Sequence, residues 1–266
     1  MFSIEDRDRV RDRVLNLASS DPRVVAGAVV GSLALHDGDR WSDLDLTFAV
    51  ADDVPVRDVL RDWTRTLVDE FDVVELFDLA AGASIYRVFL LPGSLQFDLS
   101  FTPASAFGAT GPKFRLLFGT AVEKPYTPAP SPRELFGYAV HHALRARFCI
   151  ERGRVWQAEY WISSVRDYAL TLACLRRDLP AHYGRGFDNL PADVRDAFHD
   201  ALVRSLARDE LLRTLRVALA GLLGEAAQVP ELAEMVTQVE PRLRELTLAA
   251  WDGETTTASE SGGATG

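Results

Sequence analysis

The chain has 266 residues, 47% of them hydrophobic and 26% charged, the balance of a soluble globular protein with length for one large domain or two ordinary ones. Lys and Arg number 29 against 39 Asp and Glu, a formal net charge of −10, which argues against a general nucleic-acid binder because phosphate contacts need a basic face. The charged N-terminal stretch has no apolar signal segment, and no apolar run approaches the roughly 20 residues that cross a bilayer, so the expectation is a cytoplasmic protein with no nucleic-acid and no membrane partner.

Residues 3–20 place Ile4, Val10, Val14, Leu15 and Leu17 near helical spacing between charges, and Asp21-Pro22 ends that helix. Residues 24–30 are a short Val-rich run bounded by Pro22 and Gly31, which predicts a buried strand. A loop over 31–42, holding His36, leads to a strand over 43–50. There Leu44, Leu46 and Phe48 alternate with Asp43, Asp45 and Thr47. Pro55 opens a helix to about residue 70, with Val59, Trp63, Thr66 and Leu67 on one stripe. A strand over 73–79 follows, and then two strands, 85–91 and 95–101, around the turn Pro92-Gly93-Ser94.

Four prolines within residues 125–132 mark a linker that sustains neither helix nor central strand. Beyond it Leu, Ala, Arg and Glu replace Val, Ile and Thr, and helical patterns run over 133–152, 155–178, 191–207, 209–226 and 230–249. Residues 251–266 are Thr-, Ser-, Gly- and Ala-rich and are expected to be a disordered tail. Cys149 and Cys174 fall in apolar helical stretches and read as buried reduced thiols, and no Cys/His cluster has zinc spacing.

The chemistry concentrates in residues 29–48. A buried strand ends at Gly31-Ser32, and the next strand begins Asp43-Leu44-Asp45. Carboxylates two apart on a strand share a face, where like charges repel unless a cation joins them. Oxygen donors on a rigid strand suit Mg²⁺. Asp98, between large apolar residues on a later strand, adds a third acid that a shared metal would explain. Gly31 allows close backbone approach, and the Ser32 hydroxyl with neighbouring amides suits a phosphate oxygen. The alternation fits a surface strand with solvated aspartates equally well.

This order of residues resembles the nucleotidyltransferase superfamily that includes DNA polymerase β and the antibiotic nucleotidyltransferases: Val30, Gly31-Ser32, a loop of about ten residues, Asp43-Leu44-Asp45, then Asp98. The run Arg154, Trp156, Glu159, Tyr160, Trp161, Ile162, Arg166, Asp167 is similar to the start of the helical domain in the lincosamide and streptomycin adenylyltransferase-like group. The resemblance implies an α+β fold: a nucleotidyltransferase domain over 1–124, with a small mixed sheet flanked by helices, and an all-α bundle over 133–250.

It also implies a reaction. A hydroxyl of a small molecule, an aminoglycoside or a lincosamide, would take AMP from ATP or another nucleoside triphosphate and release pyrophosphate, with Mg²⁺ on Asp43, Asp45 and Asp98. Gly31 and Ser32 would position the phosphates, with Arg166 and Arg185 as further nucleotide contacts. Asp98, then Glu159, would be the base. Glu159 and Arg166 also fit a salt-bridged solvent face, and Arg185, in the loop His182-Tyr183-Gly184-Arg185-Gly186, also fits a solvated turn. Trp156, Tyr160 and Trp161 read as core before acceptor pocket, and His141-His142 as helix packing. A protein-modifying (AMP-transferring) or toxin–antitoxin type nucleotidyltransferase and a non-catalytic nucleotide binder stay open, and the sequence sets no oligomeric state.

Overall fold

The computed structural model describes residues 1–35, 38–126 and 128–248, so the loop residue His36 and the expected tail at 251–266 lie outside the described residues. The chain divides into two compact units, Met1–Pro128 and Ala129–Gly266.

The first unit opens with α1 (Ile4–Ser20). Ser3 caps it reciprocally: the Asp6 amide donates to Ser3 Oγ at 3.1 Å, and the Ser3 amide donates to Asp6 Oδ2 at 2.9 Å. Five further elements follow: β1 (Val24–Val30), β2 (Leu44–Val50), α2 (Val56–Phe71), β3 (Val74–Ala81) and β4 (Ser84–Leu91). The unit ends with β5 (Leu95–Pro103) and β6 (Phe114–Phe118). The strands form one sheet in the order β3-β4-β5-β2-β1-β6. β2 and β5 run parallel, and the other neighbours are antiparallel.

One face of the sheet packs on α1 and α2. Leu44, Leu46 and Phe48 with Phe97, Leu99 and Phe101 meet Val10, Val14, Val59, Trp63 and Leu67 in one buried cluster. Trp63 sits 5.2 Å from the Phe48 ring and edge-on to Phe101 at 5.0 Å. Its indole Nε1–H donates to Asp21 Oδ2 at 2.8 Å, so the residue that ends α1 also fixes α2. The opposite face carries a small cluster of Ala26, Ala28, Ala49 and Phe107.

Predicted and observed elements agree closely here, with two differences. The loop after β1 begins as a 3-10 turn, Gly31–Leu35, and β6 was not predicted at all. Phe114-Arg-Leu-Leu-Phe118 has no alternation and only five residues, too little for periodicity to register; pairing with β1 defines it.

The second unit is helical: α3 (Pro132–Glu151), α4 (Val155–Leu175), α5 (Ala192–His199), α6 (Arg208–Ala226) and α7 (Ala233–Glu245). Phe136, Ala139, Ala143 and Ala146 of α3 share a core with Ile162, Val165, Ala169 and Leu172 of α4 and Leu215, Leu219 and Leu222 of α6. Cys149 and Cys174 are buried thiols in that core, as expected. The helix expected over 191–207 stops at His199. The ladder tightens into i→i+3 bonds there, from the Ala201 amide to the Phe198 carbonyl at 2.9 Å and from the Leu202 amide to the His199 carbonyl at 3.4 Å. Further on, Arg213 donates to the Asp200 carbonyl at 2.9 Å, and the Arg204 amide donates to Glu210 Oε1 at 3.0 Å. Trp156 and Tyr160, read as core, are instead 76% and 60% exposed, whereas Trp161 is half-buried. Among the described residues no helix is long and apolar enough to cross a membrane.

Asp21 supplies a pH test. Hydrogen bonds from the Arg23 side chain, then from Trp63 and the Arg23 amide, hold its carboxyl down at about 2 against an ordinary 3.8. A depressed native pKa stabilises the fold above the unfolded value and is lost as pH falls through the native one. Unfolding free energy should therefore drop between pH 4 and pH 2, and Asp21→Asn should flatten that slope. Denaturant titrations at each pH check this; equal slopes would remove Asp21 from the account.

Candidate active site

The site lies on the sheet face opposite α1 and α2. Successive side chains of a strand alternate in direction, so the pattern that buries Leu44, Leu46 and Phe48 turns Asp45 and Thr47 the other way. β2 and β5 are parallel with Asp45 aligned to Asp98 and Thr47 to Ser100, which sets both acids side by side. Asp43 stands one residue before β2. One carboxylate oxygen from each of Asp43, Asp45 and Asp98 lies within 4.8 Å of the others, and all three residues are half-buried. Beneath them the buried Ser100 hydroxyl donates to Thr47 Oγ1 at 2.8 Å, tying the two strands together.

Asp98 feels its surroundings. Burial, with buried Val88 paired alongside on β4, pushes its carboxyl up, and the Asp43 charge pushes the same way. Gln96 Nε2 opposes the shift by donating to Asp98 Oδ1 at 2.9 Å. A divalent cation shared among these oxygens would relieve both burial and repulsion, so the donor set fits Mg²⁺ in number, hardness and spacing.

Gly31 meets this group at the end of β1. Its φ is +70°, and a Cβ built there would lie 2.1 Å from Asp45 Oδ2. Conformation and space both demand glycine, and the corner's backbone lies directly against the carboxylate. Ser32 follows as the second residue of the 3-10 turn. Arg115 Nε of β6 donates to the Ala34 carbonyl of that turn at 3.3 Å.

The return path to Asp43 is held by Arg7 of α1. This guanidinium is only 5% exposed, and its Nη1 donates to the carbonyls of Asp39 at 2.7 Å and Ser42 at 2.9 Å. Asp39 Oδ1 in turn accepts from the Trp41 amide and the Ser42 hydroxyl. Removing the Arg7 contacts would forfeit charge-assisted bonds worth about 1.5–3 kcal/mol each and loosen the segment that delivers Asp43. Sequence reasoning missed Arg7, Gln96 and Arg115. Arg7 falls on the buried stripe of α1 with Val10, Val14 and Ala18, so its helical spacing was the signal that could have separated it from the charges around it.

The other expected site residues belong to the second unit. Glu159 and Arg166 are both on α4 and half-buried. Glu159 Oε1 accepts from the Ser163 hydroxyl at 2.7 Å, and Arg166 pairs with its neighbour Asp167 at 2.8 Å. Arg185 follows a short 3-10 turn, with its guanidinium 5.7 Å from the Tyr183 ring. His142 packs between Trp161 and Tyr168, in keeping with a packing role.

No protein-family model matches the chain, and no curated protein matches it. Among solved structures, it is similar to an aminoglycoside 6-adenyltransferase from Bacillus subtilis at 12% identity and TM-score 0.37, covering 92% of this chain and 99% of that one. It is also similar to JHP933 from Helicobacter pylori at 13% identity and TM-score 0.28, covering 88% and 99%. Superpositions this loose transfer no residue role, so the functional reading rests on the carboxylate geometry.

A carboxyl whose native pKa is raised favours the fold below its unfolded pKa and loses that contribution as pH rises through the native value. Ionised Asp98 therefore costs stability at neutral pH. Asp98→Asn should melt higher than wild type in chelator at pH 7, and Mg²⁺ should raise the wild-type midpoint but not that of the variant. Scanning calorimetry with and without Mg²⁺ checks both. A lower chelated midpoint with an unchanged Mg²⁺ response would exclude Asp98 from a shared site.

Proposed function

We propose that the protein is a Mg²⁺-dependent nucleotidyltransferase that moves a nucleoside monophosphate, AMP in the first instance, from a nucleoside triphosphate to a hydroxyl of a small molecule. The convergence of Asp43, Asp45 and Asp98 beside Gly31 carries this reading. The order of these residues along the chain, shared with the nucleotidyltransferase pattern, supports it.

Asp43, Asp45 and Asp98 would hold the ion, which when bound neutralises phosphate charge and polarises the phosphoryl group under attack. The amides of the Gly31 corner and the Ser32 hydroxyl would donate to phosphate oxygens; the missing Cβ at Gly31 leaves room for that approach. The acceptor oxygen forms a bond to the α-phosphorus, the bond from that phosphorus to the bridging oxygen breaks, and pyrophosphate leaves. Asp98 is our first assignment for the proton of the attacking hydroxyl. With Oδ1 accepting from Gln96, Oδ2 is the oxygen assigned. Glu159 is the second assignment, with Arg166 and Arg185 as nucleotide contacts from the helical unit.

A cationic aminoglycoside suits a site framed by carboxylates on a chain of net charge −10, with a lincosamide next. Labelled ATP and GTP, screened with both antibiotic classes and with cell lysate, should release pyrophosphate and label a drug. Asp45→Asn should slow release about a thousandfold, the rate equivalent of several kcal/mol. Label on a protein band would turn the reading toward protein modification. Undiminished turnover in Asp45→Asn would refute the role of the carboxylates.

A further inference from the structure

The turn between α3 and α4 runs Glu151-Arg152-Gly153-Arg154, with Gly153 at φ +66°. Residues 145–154 hold four arginines and one acid, a local excess of positive charge in a chain whose net charge is −10. The acid does not neutralise the excess. Glu151 pairs with Arg147 at 2.7 Å and with Arg208 at 2.8 Å. Arg147 itself is buried, and its Nη1 donates to the carbonyls of Leu246 and Leu248.

The remaining three, Arg145, Arg152 and Arg154, border a cavity of about 50 Å³ with Gln157 and Trp161. None of the three guanidiniums has a hydrogen-bond or ion-pair partner among the described residues. The indole Nε1–H of Trp161, which forms one wall, is buried and likewise has no partner there. The cavity also adjoins the N-terminus of α4, a 21-residue helix with no side-chain cap. Its first amides and the positive end of its dipole face the turn.

Guanidinium forks, an indole donor and helix amides are all donors; against them stand only the Gln157 side-chain carbonyl and the weakly accepting Cys149 thiol, so the balance of the lining favours an anion. We propose that this pocket binds a phosphate-class oxyanion, either free phosphate or the phosphate of a monoester. The cavity has room for the tetrahedral group alone, so the rest of a monoester would stay outside. The site is built from the second unit only and stands independently of the transferase reading.

The test is calorimetric titration of the full chain with inorganic phosphate, and separately with phenyl phosphate, in chelator at constant ionic strength. We expect saturable binding at one site, weakened at least tenfold by the double variant R152Q/R154Q. Both side chains are exposed, and circular dichroism confirms that the variant folds. The double variant D43N/D45N should bind as wild type does. Binding of phenyl phosphate but not of free phosphate would assign a monoester. An equal response to sodium chloride, undiminished binding in R152Q/R154Q, no binding of either probe, or loss confined to D43N/D45N would each overturn the proposal.

Discussion

Carboxylates held side by side repel, and a fold that places three of them within one ion's reach must constrain each from behind. Here the constraint is the parallel pairing of β2 and β5, which aligns Asp45 with Asp98 while Leu44, Leu46, Phe97 and Leu99 lock the other face. The backbone under neither acid can shift without pulling a buried leucine or phenylalanine from the core. The Thr47–Ser100 hydroxyl contact adds a second tie one step along the strands. The cost shows in Asp98, whose carboxyl is pushed up by burial and by Asp43.

The glycine corner follows from the same geometry. Asp45 Oδ2 lies where a Cβ of residue 31 would be, so the turn after β1 is a close fit between backbone and carboxylate. Arg7 keeps the intervening segment in place from the far side of the sheet, linking α1 to a site it never touches.

Much of this was legible in the sequence because it is local. The alternation Asp43-Leu44-Asp45-Leu46 states which face each side chain takes, and Pro92-Gly93-Ser94 states that β4 folds back on β5. The α+β division was legible too, in the proline-rich stretch and the change from Val, Ile and Thr to Leu, Ala, Arg and Glu. What could not be read is what depends on partners far along the chain. β6 exists through its pairing with β1. Arg7 earns its burial from carbonyls more than thirty residues away. Trp156 and Tyr160 misled for a related reason: helical spacing says which residues share a face, and not whether another helix covers it.

The central claim is that Asp43, Asp45 and Asp98 form one cation site. Crystals soaked in Mn²⁺, with anomalous scattering recorded at the manganese edge, test it most directly. The account predicts a peak coordinated by oxygens of all three aspartates beside Gly31, abolished in Asp45→Asn. A peak on other residues alone, or none at saturating Mn²⁺, would contradict it.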